Sequence, residues 1–220
     1  MKIVIQCAAN KVPDAGSLID ARGLPVLFVA NPGLAPHSET CIYARPDDPA
    51  GDGLTWRTLL VEYNTTGENR LGLLPAYRLY RHHVYGQLVD RYGVGNVFIL
   101  SAGWGLISAD FLTPRYDITF SSSADKYKRR SKRDWYNDFR MLPDDCDEQV
   151  IFFGGKDYLP LFCNLTREYR GRRFIFYNSR VPPEAPGCTL IRYQTKTRTN
   201  WHYGCARAFM AGKITCCSEA

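Results

Sequence analysis

The chain has 220 residues, a formal net charge of +6, 45% hydrophobic and 23% charged residues. That is the balance of an ordinary soluble globular protein, with one substantial core or two small domains. No apolar run approaches the roughly 20 residues of a membrane span, which excludes a membrane partner. The positive excess is modest, so the placement of the charge matters more than its total.

The opening residues, Met1-Lys-Ile-Val-Ile-Gln6, read as a first strand rather than an export signal, so a cytoplasmic protein is expected. Its eight cysteines (7, 41, 146, 163, 188, 205, 216 and 217) are then expected as reduced thiols. No two are spaced as Cys-x-x-Cys, and histidines 37, 82, 83 and 202 show no finger spacing. No metal site and no cofactor is expected.

After the first strand at 2–6, short apolar runs bounded by turn residues recur at 25–30, 96–101, 149–153, 173–177 and 189–193. Helical patterns lie between several of them. Residues 76–92 place Tyr80, Val84 and Leu88 four apart on one face, with Arg78, Arg81 and Arg91 elsewhere. Weaker helical patterns cover 130–141 and 157–170, and a helix over 201–211 closes the chain. Residues 31–75 break the alternation. They are rich in Pro, Gly, Asp, Asn and Thr and read as a loop-rich insertion: a lid, a binding loop or a small hairpin, or else variable surface. The expected fold is a single α/β domain over 1–220, with a central mixed, largely parallel sheet flanked by helices.

The stretch from Ile99 to Phe120 holds the densest chemistry. An apolar strand ends in Ser101-Ala-Gly-Trp-Gly105, and Pro114-Arg-Tyr-Asp117 follows. Glycines at a strand end let a backbone approach a ligand closely, and ligands of open α/β sheets bind outside the carboxyl ends of strands. Ser101, Gly103, Trp104 and Tyr116 are therefore expected to form a substrate pocket. Asp117 is either a carboxylate aimed into that cleft, or a residue that caps a helix or pairs with Arg115. Asn10 and Lys11 follow the first strand and suit a base-edge amide and an anion contact; a solvated lysine is the plainer alternative. Gly154 and Gly155, at a further strand–helix junction, offer another close backbone approach.

Two basic segments point to phosphate. Lys126, Lys128, Arg129, Arg130, Lys132 and Arg133 fall within eight residues, interrupted by Tyr127 and followed by Trp135 and Tyr136. Phosphate neutralisation supplies sequence-independent affinity and aromatic faces stack bases, so this run is expected to hold DNA rather than merely face solvent. Lys196 and Arg198 belong to a second basic stretch, in a polar loop opening the last helix, whose amide donors suit a phosphate. His202 in that helix is a candidate proton donor or simply a hydrogen-bonded histidine. The spacings of a phosphate-binding P-loop, a dinucleotide fingerprint and a Gly-x-Ser-x-Gly elbow are all absent.

Through Leu100-Ser-Ala-Gly-Trp-Gly-Leu-Ile107 and Pro114-Arg-Tyr-Asp117 the chain resembles the YaaA (peroxide-stress) family and related bacterial domains of uncharacterised function. Weaker islands lie at Lys11, at Phe153-Gly-Gly-Lys-Asp-Tyr158, and around Lys196, Arg198 and Arg207. The resemblance implies DNA binding and genome protection on a mixed α/β fold. Unlike YaaA, this chain is shorter, carries the 31–75 insertion and has no convincing helix-hairpin-helix.

Residues and resemblance together lead to the expectation of a DNA N-glycosylase. Such an enzyme excises a damaged or modified base, for genome protection or defence against phage DNA. Chemistry on a base requires taking it out of the stack. Asp117 would then stabilise the sugar cation, with Asn10 and Lys11 reading the base and a flanking phosphate. DNA is the expected partner, and no obligate protein partner is evident. The alternatives are a non-catalytic DNA-binding stress protein and a small-molecule nucleoside or nucleotide enzyme.

Overall fold

The computed structural model describes residues 1–216. In chain order the elements are β1 (Lys2–Gln6), β2 (Val26–Phe28), β3 (Ile42–Ala44), β4 (Pro49–Gly51), β5 (Leu54–Thr55), α1 (Trp56–Thr65), β6 (Leu74–Pro75), α2 (Ala76–Leu79) and α3 (Val84–Tyr92). The second half adds β7 (Val97–Ser101), β8 (Gly105–Ser108), β9 (Leu112–Thr113), β10 (Phe139–Arg140), β11 (Val150–Phe153), α4 (Leu159–Leu165), β12 (Arg173–Tyr177), β13 (Thr189–Arg192) and α5 (Trp201–Met210). Short two-stranded ladders, β2–β3, β4–β5 and β6–β9, sit beside a seven-stranded sheet of order β10-β8-β7-β1-β11-β12-β13. All its pairings are parallel except β7 with β8. This is the α/β fold with a largely parallel mixed sheet that the alternating pattern predicts.

The central strands β7 and β11 are buried along their whole length, as expected for strands covered on both faces. Alternation sends their side chains to opposite layers. Phe152 stacks on Phe162 of α4 with ring centroids 4.6 Å apart. Its neighbour Phe153 faces the other way, stacking on Phe176 at 5.5 Å and meeting Phe209 of α5 at 5.6 Å. Each such ring, fully buried, contributes on the order of 2 kcal/mol.

Three expectations are corrected. The 76–92 pattern is two helices, because the backbone between them is taken by the loop after β1. The Val12 amide bonds Leu79 O at 2.8 Å, and the Arg81 amide bonds Asn10 O at 3.2 Å. Tyr80 is left extended. Residues 130–141 form no helix: the Arg130 guanidinium is tied to Asp138 and to Ala102 O, which folds the segment into an irregular loop ending in β10. The 157–170 helix shortens to Leu159–Leu165.

The insertion is more structured than a loop. Its helix α1 starts at the N-cap Thr55, whose side chain accepts from the Thr58 amide, and it drives Arg57 into the core. Arg57 pairs with Asp47 at 2.6 Å and donates to Gly103 O at 3.2 Å and Trp104 O at 3.1 Å. The guanidinium thereby satisfies carbonyls of a turn closed to water. Arg57→Met keeps the apolar stem but strands those acceptors and Asp47. It is expected to lower unfolding free energy by about 3 kcal/mol in urea titrations; a loss below 1 kcal/mol would contradict this role.

Candidate functional site

Along the five parallel strands, β1 lies between β7, the next to be formed in sequence, and β11, the one after. The chain leaves β1 toward one side and returns on the other. At such a reversal the connections diverge, leaving a crevice outside the carboxyl ends of the two strands. A crevice of about 610 Å³ occupies this position. The β1 end supplies Gln6, Cys7 and Asn10, and the β11 end supplies Gly155, Asp157 and Tyr158. The start of α5 supplies Trp201, His202 and Tyr203, with Arg81 and Arg198 at the margins.

Local chemistry holds these walls in place. Gln6 Oε1 accepts the Gly155 amide at 2.6 Å, tying the two strand ends together. Cys7 Sγ and Tyr158 Oη are 3.2 Å apart. His82 stacks on Tyr203 at 3.9 Å. Helix α5 begins after Asn200, which adopts a left-handed conformation (φ 57°) and provides no side-chain cap. The Tyr203 amide donates to Asn200 O at 3.1 Å, and the amides of Trp201 and His202, with the positive end of the helix dipole, face the start of the helix. His202 is 3% exposed and its Nε2 has no hydrogen-bond partner. Burial pushes its pKa down to about 4, so the imidazole is neutral at pH 7. Asp157 is the only carboxylate lining the crevice among the described residues, and it bonds Lys132 Nζ at 2.9 Å.

A second cluster lies directly behind the β1 end. Tyr116 Oη meets Tyr80 Oη at 2.8 Å and accepts from Ser101 Oγ at 2.8 Å. The Lys11 ammonium stands 4.0 Å above the Tyr116 ring and donates to Ala8 O at 3.2 Å. Desolvation lowers the Lys11 pKa, opposed by nearby Cys7 and Asp117. Desolvation also raises the Tyr80 and Tyr116 pKa values well above the usual phenol range. Asp117 bonds Lys128 Nζ at 2.9 Å, and that hydrogen bond raises the Lys128 pKa.

The sequence-predicted residues divide accordingly. Asn10, Gly155, His202 and Arg198 converge on the crevice. Lys11 and Asp117 sit together but do not line it. Ser101, Gly103, Trp104 and Tyr116 form no pocket wall. Ser101 Oγ accepts from the Gly103 and Trp104 amides at 3.2 and 3.1 Å, and Trp104 has no exposed surface. These residues build a buried turn, so Trp104 and Tyr116 offer no face to a base. Gly154 is required by packing, since a Cβ there would meet the Phe152 ring at 2.2 Å.

The basic run is also redistributed. Lys128 pairs with Asp117 and Asp125, Arg130 with Asp138, and Lys132 with Asp157. Arg130 is buried, so it is a core cation and not a phosphate contact. Arg129 donates to Ser122 O. Lys126, Arg133 and Lys196 are exposed. Gln6, Asp157, Tyr158, Trp201 and Tyr203 escaped the sequence-based selection. The one signal available was that Gly154-Gly-Lys-Asp157 closes a strand in the same way as Cys7-Ala-Ala-Asn10.

Seven cysteines among the described residues carry free thiols, and Cys217 lies outside those residues. No group of three or more potential metal ligands and no helix able to cross a membrane is found among the described residues. No family model, curated protein or solved structure matches the chain. None of these comparisons bears on the resemblance to the YaaA family.

The buried neutral His202 has a consequence for stability. The unfolded chain takes up a proton near pH 6.5 that the folded chain refuses until about pH 4. Stability should fall as the pH drops through that window, by on the order of 3 kcal/mol from this group. Urea titrations of wild type and His202→Gln should diverge between those limits, the wild type losing more. Parallel curves would refute a buried neutral imidazole.

Proposed function

We propose that this protein is a DNA N-glycosylase that draws one modified or damaged nucleotide into the crevice at the β1–β11 ends and excises its base. The observation that carries this reading is the convergence there of three groups of opposite use. An uncapped helix start with Arg198 suits a phosphate. Trp201, Tyr203 and Tyr158, each less than a tenth exposed, line the wall with aromatic edges. Asn10 and Gln6 supply amides able to read a base edge. The crevice lies in the size range of small-ligand sites, and an extruded nucleotide is read by such stacking and edge contacts.

On this reading Asp157, which lines the crevice, and not Asp117 would face the sugar. Its charge is held by Lys132 in the free protein. A DNA phosphate reaching Lys132 competes for that cation and leaves the carboxylate to stabilise positive charge on the sugar as the glycosidic bond breaks. Water then adds its oxygen to the sugar carbon and its proton passes to the departing base, leaving free base and an abasic sugar. Lys11 and Asp117 stay behind the β1 end and hold the loop that carries Asn10.

A second reading, a small-molecule nucleotide enzyme, is favoured by the internal pairing of Lys128, Arg130 and Lys132, which leaves fewer cations for a DNA backbone. Salt separates the two: DNA affinity should fall steeply with ionic strength through counterion release, and affinity for a free nucleoside should not.

The deciding experiment measures abasic sites in unmodified, oxidised, alkylated and phage-modified DNA, revealed by an abasic-site endonuclease. Strand breaks are expected on one class, falling on the order of 100-fold in Asp157→Asn and far less in Asp117→Asn. Salt-dependent binding with no breaks on any DNA would overturn the glycosylase reading. A larger loss in Asp117→Asn than in Asp157→Asn would move the catalytic carboxylate to Asp117.

A further inference from the structure

Across the Lys132–Asp157 pair from the crevice lies a second cavity, of about 600 Å³, between residues 130–140 and α4. Asp157 lines both cavities, so they are consecutive depressions on the same edge of the sheet, divided by one ion pair. Three features of the second cavity have no use inside the fold. Trp135 on its rim is 87% exposed, while the other three tryptophans are at most 7% exposed. The Arg133 side chain beside it is exposed and makes no ion pair or hydrogen bond among the described residues. In the wall, Arg130 Nε and Tyr136 Oη are buried without hydrogen-bond partners, although both residues are at least nine-tenths buried.

An indole left in water forgoes the burial that usually recruits tryptophan, and unpaired buried polar atoms are uncommon in native proteins. Together they describe a site that is completed by something flat with polar edges. Arg130 is already fixed from the other side: its two Nη atoms hold Asp138 at 2.9 and 2.6 Å, and its guanidinium lies 3.9 Å from the Tyr136 ring centre. These contacts hold the Arg130 and Tyr136 wall of the cavity in one position behind the exposed Trp135.

We propose that this cavity is a second nucleotide subsite, in which Trp135 stacks the base next to the one held in the crevice, so that the ligand is single-stranded DNA. The proposal rests on the nucleic-acid reading above and narrows it. Two adjacent depressions can each accept a base only if neighbouring bases have separated from one another, which a duplex resists and a single strand permits. Arg133 and Lys132 then face the phosphate between them, and stacking makes the subsite tolerant of base identity.

The test compares three probes at low salt: fluorescein-labelled octathymidylate by anisotropy, the same sequence as a blunt duplex, and thymidine monophosphate by calorimetry. The octamer is expected to bind more tightly than both the duplex and the mononucleotide. Trp135→Ala should weaken the octamer roughly ten-fold or more and leave the mononucleotide unchanged. Because Trp135 packs against almost nothing, this variant should keep the wild-type fold, which its melting temperature would verify. Tyr136→Phe, which removes the unpartnered hydroxyl and keeps the ring, should also weaken the octamer. Unchanged octamer affinity in Trp135→Ala, or a duplex bound as tightly as the octamer, would overturn the proposal. Excision activity separates it from the parent reading. Abasic sites formed equally well by Trp135→Ala and wild type on single strands would refute the subsite and leave the glycosylase standing. Trp135-dependent octamer binding without excision on any DNA would do the reverse.

Discussion

Pairing of β1 with β7 along one edge and with β11 along the other is the constraint on which the site depends. A parallel strand cannot be followed by its neighbour through a tight turn, so each connection must travel. Those on either side of β1 travel apart, and the space they leave is the crevice. The register aligns Ile5 with Phe153 on one side and Gln6 with Leu100 on the other. Gln6, Cys7 and the Gly154-Gly155 turn therefore emerge at one level. The bond from Gly155 to Gln6 then closes the floor with a side chain where the ladder has run out of backbone partners.

Behind that floor the fold spends polar groups to hold position. Ser101, Tyr80 and Tyr116 share short hydroxyl contacts, and Tyr85 donates to Gln6 O at 2.8 Å. Phenols so thoroughly buried stay neutral, and their role is to fix the loop that follows β1. Breaking the 76–92 helix serves the same end: the extended Tyr80 brings its hydroxyl to Tyr116 and forms a bridge with Lys11. The motif Leu100 to Ile107, the most distinctive run in the chain, is thus the support of the site and not its surface.

Charge shows the same division of labour. A cluster of cations in sequence reads as a phosphate-binding stripe, yet carboxylates distant in the chain neutralise half of it. Asp117, Asp138 and Asp157 reach it from three separate loops. Among the described residues Lys126, Arg129 and Arg133 of that cluster are left without an ion pair; Arg133 lies near Trp135, and Arg198 lies by α5 at the margin of the crevice. On the proposed function, an arrangement of that kind would guide an extended anion along an edge, with one carboxylate, Asp157, lining both cavities.

Much of the fold was legible in the chain, because buried strands leave uninterrupted apolar runs: β1 and β12 begin and end where those runs do. The helix over 201–211, the parallel sheet and four of the crevice residues, Asn10, Gly155, Arg198 and His202, were legible for the same reason, since apolar periodicity and strand-end position are local properties. Which carboxylate meets which cation is not local. Neither is burial of a particular aromatic, so Trp104 and Trp135 read alike in sequence: both follow a small or basic turn. Only the packed structure separates them, sealing Trp104 beneath Arg57 and the β7–β8 turn and leaving Trp135 in water. The apolar runs marked the five parallel strands and the edge at which they end, and not the short strands β8 and β10 at the margin of the sheet. The tertiary structure decided which side chains at that edge face a ligand, because strand order and long-range ion pairing are settled only when distant segments meet.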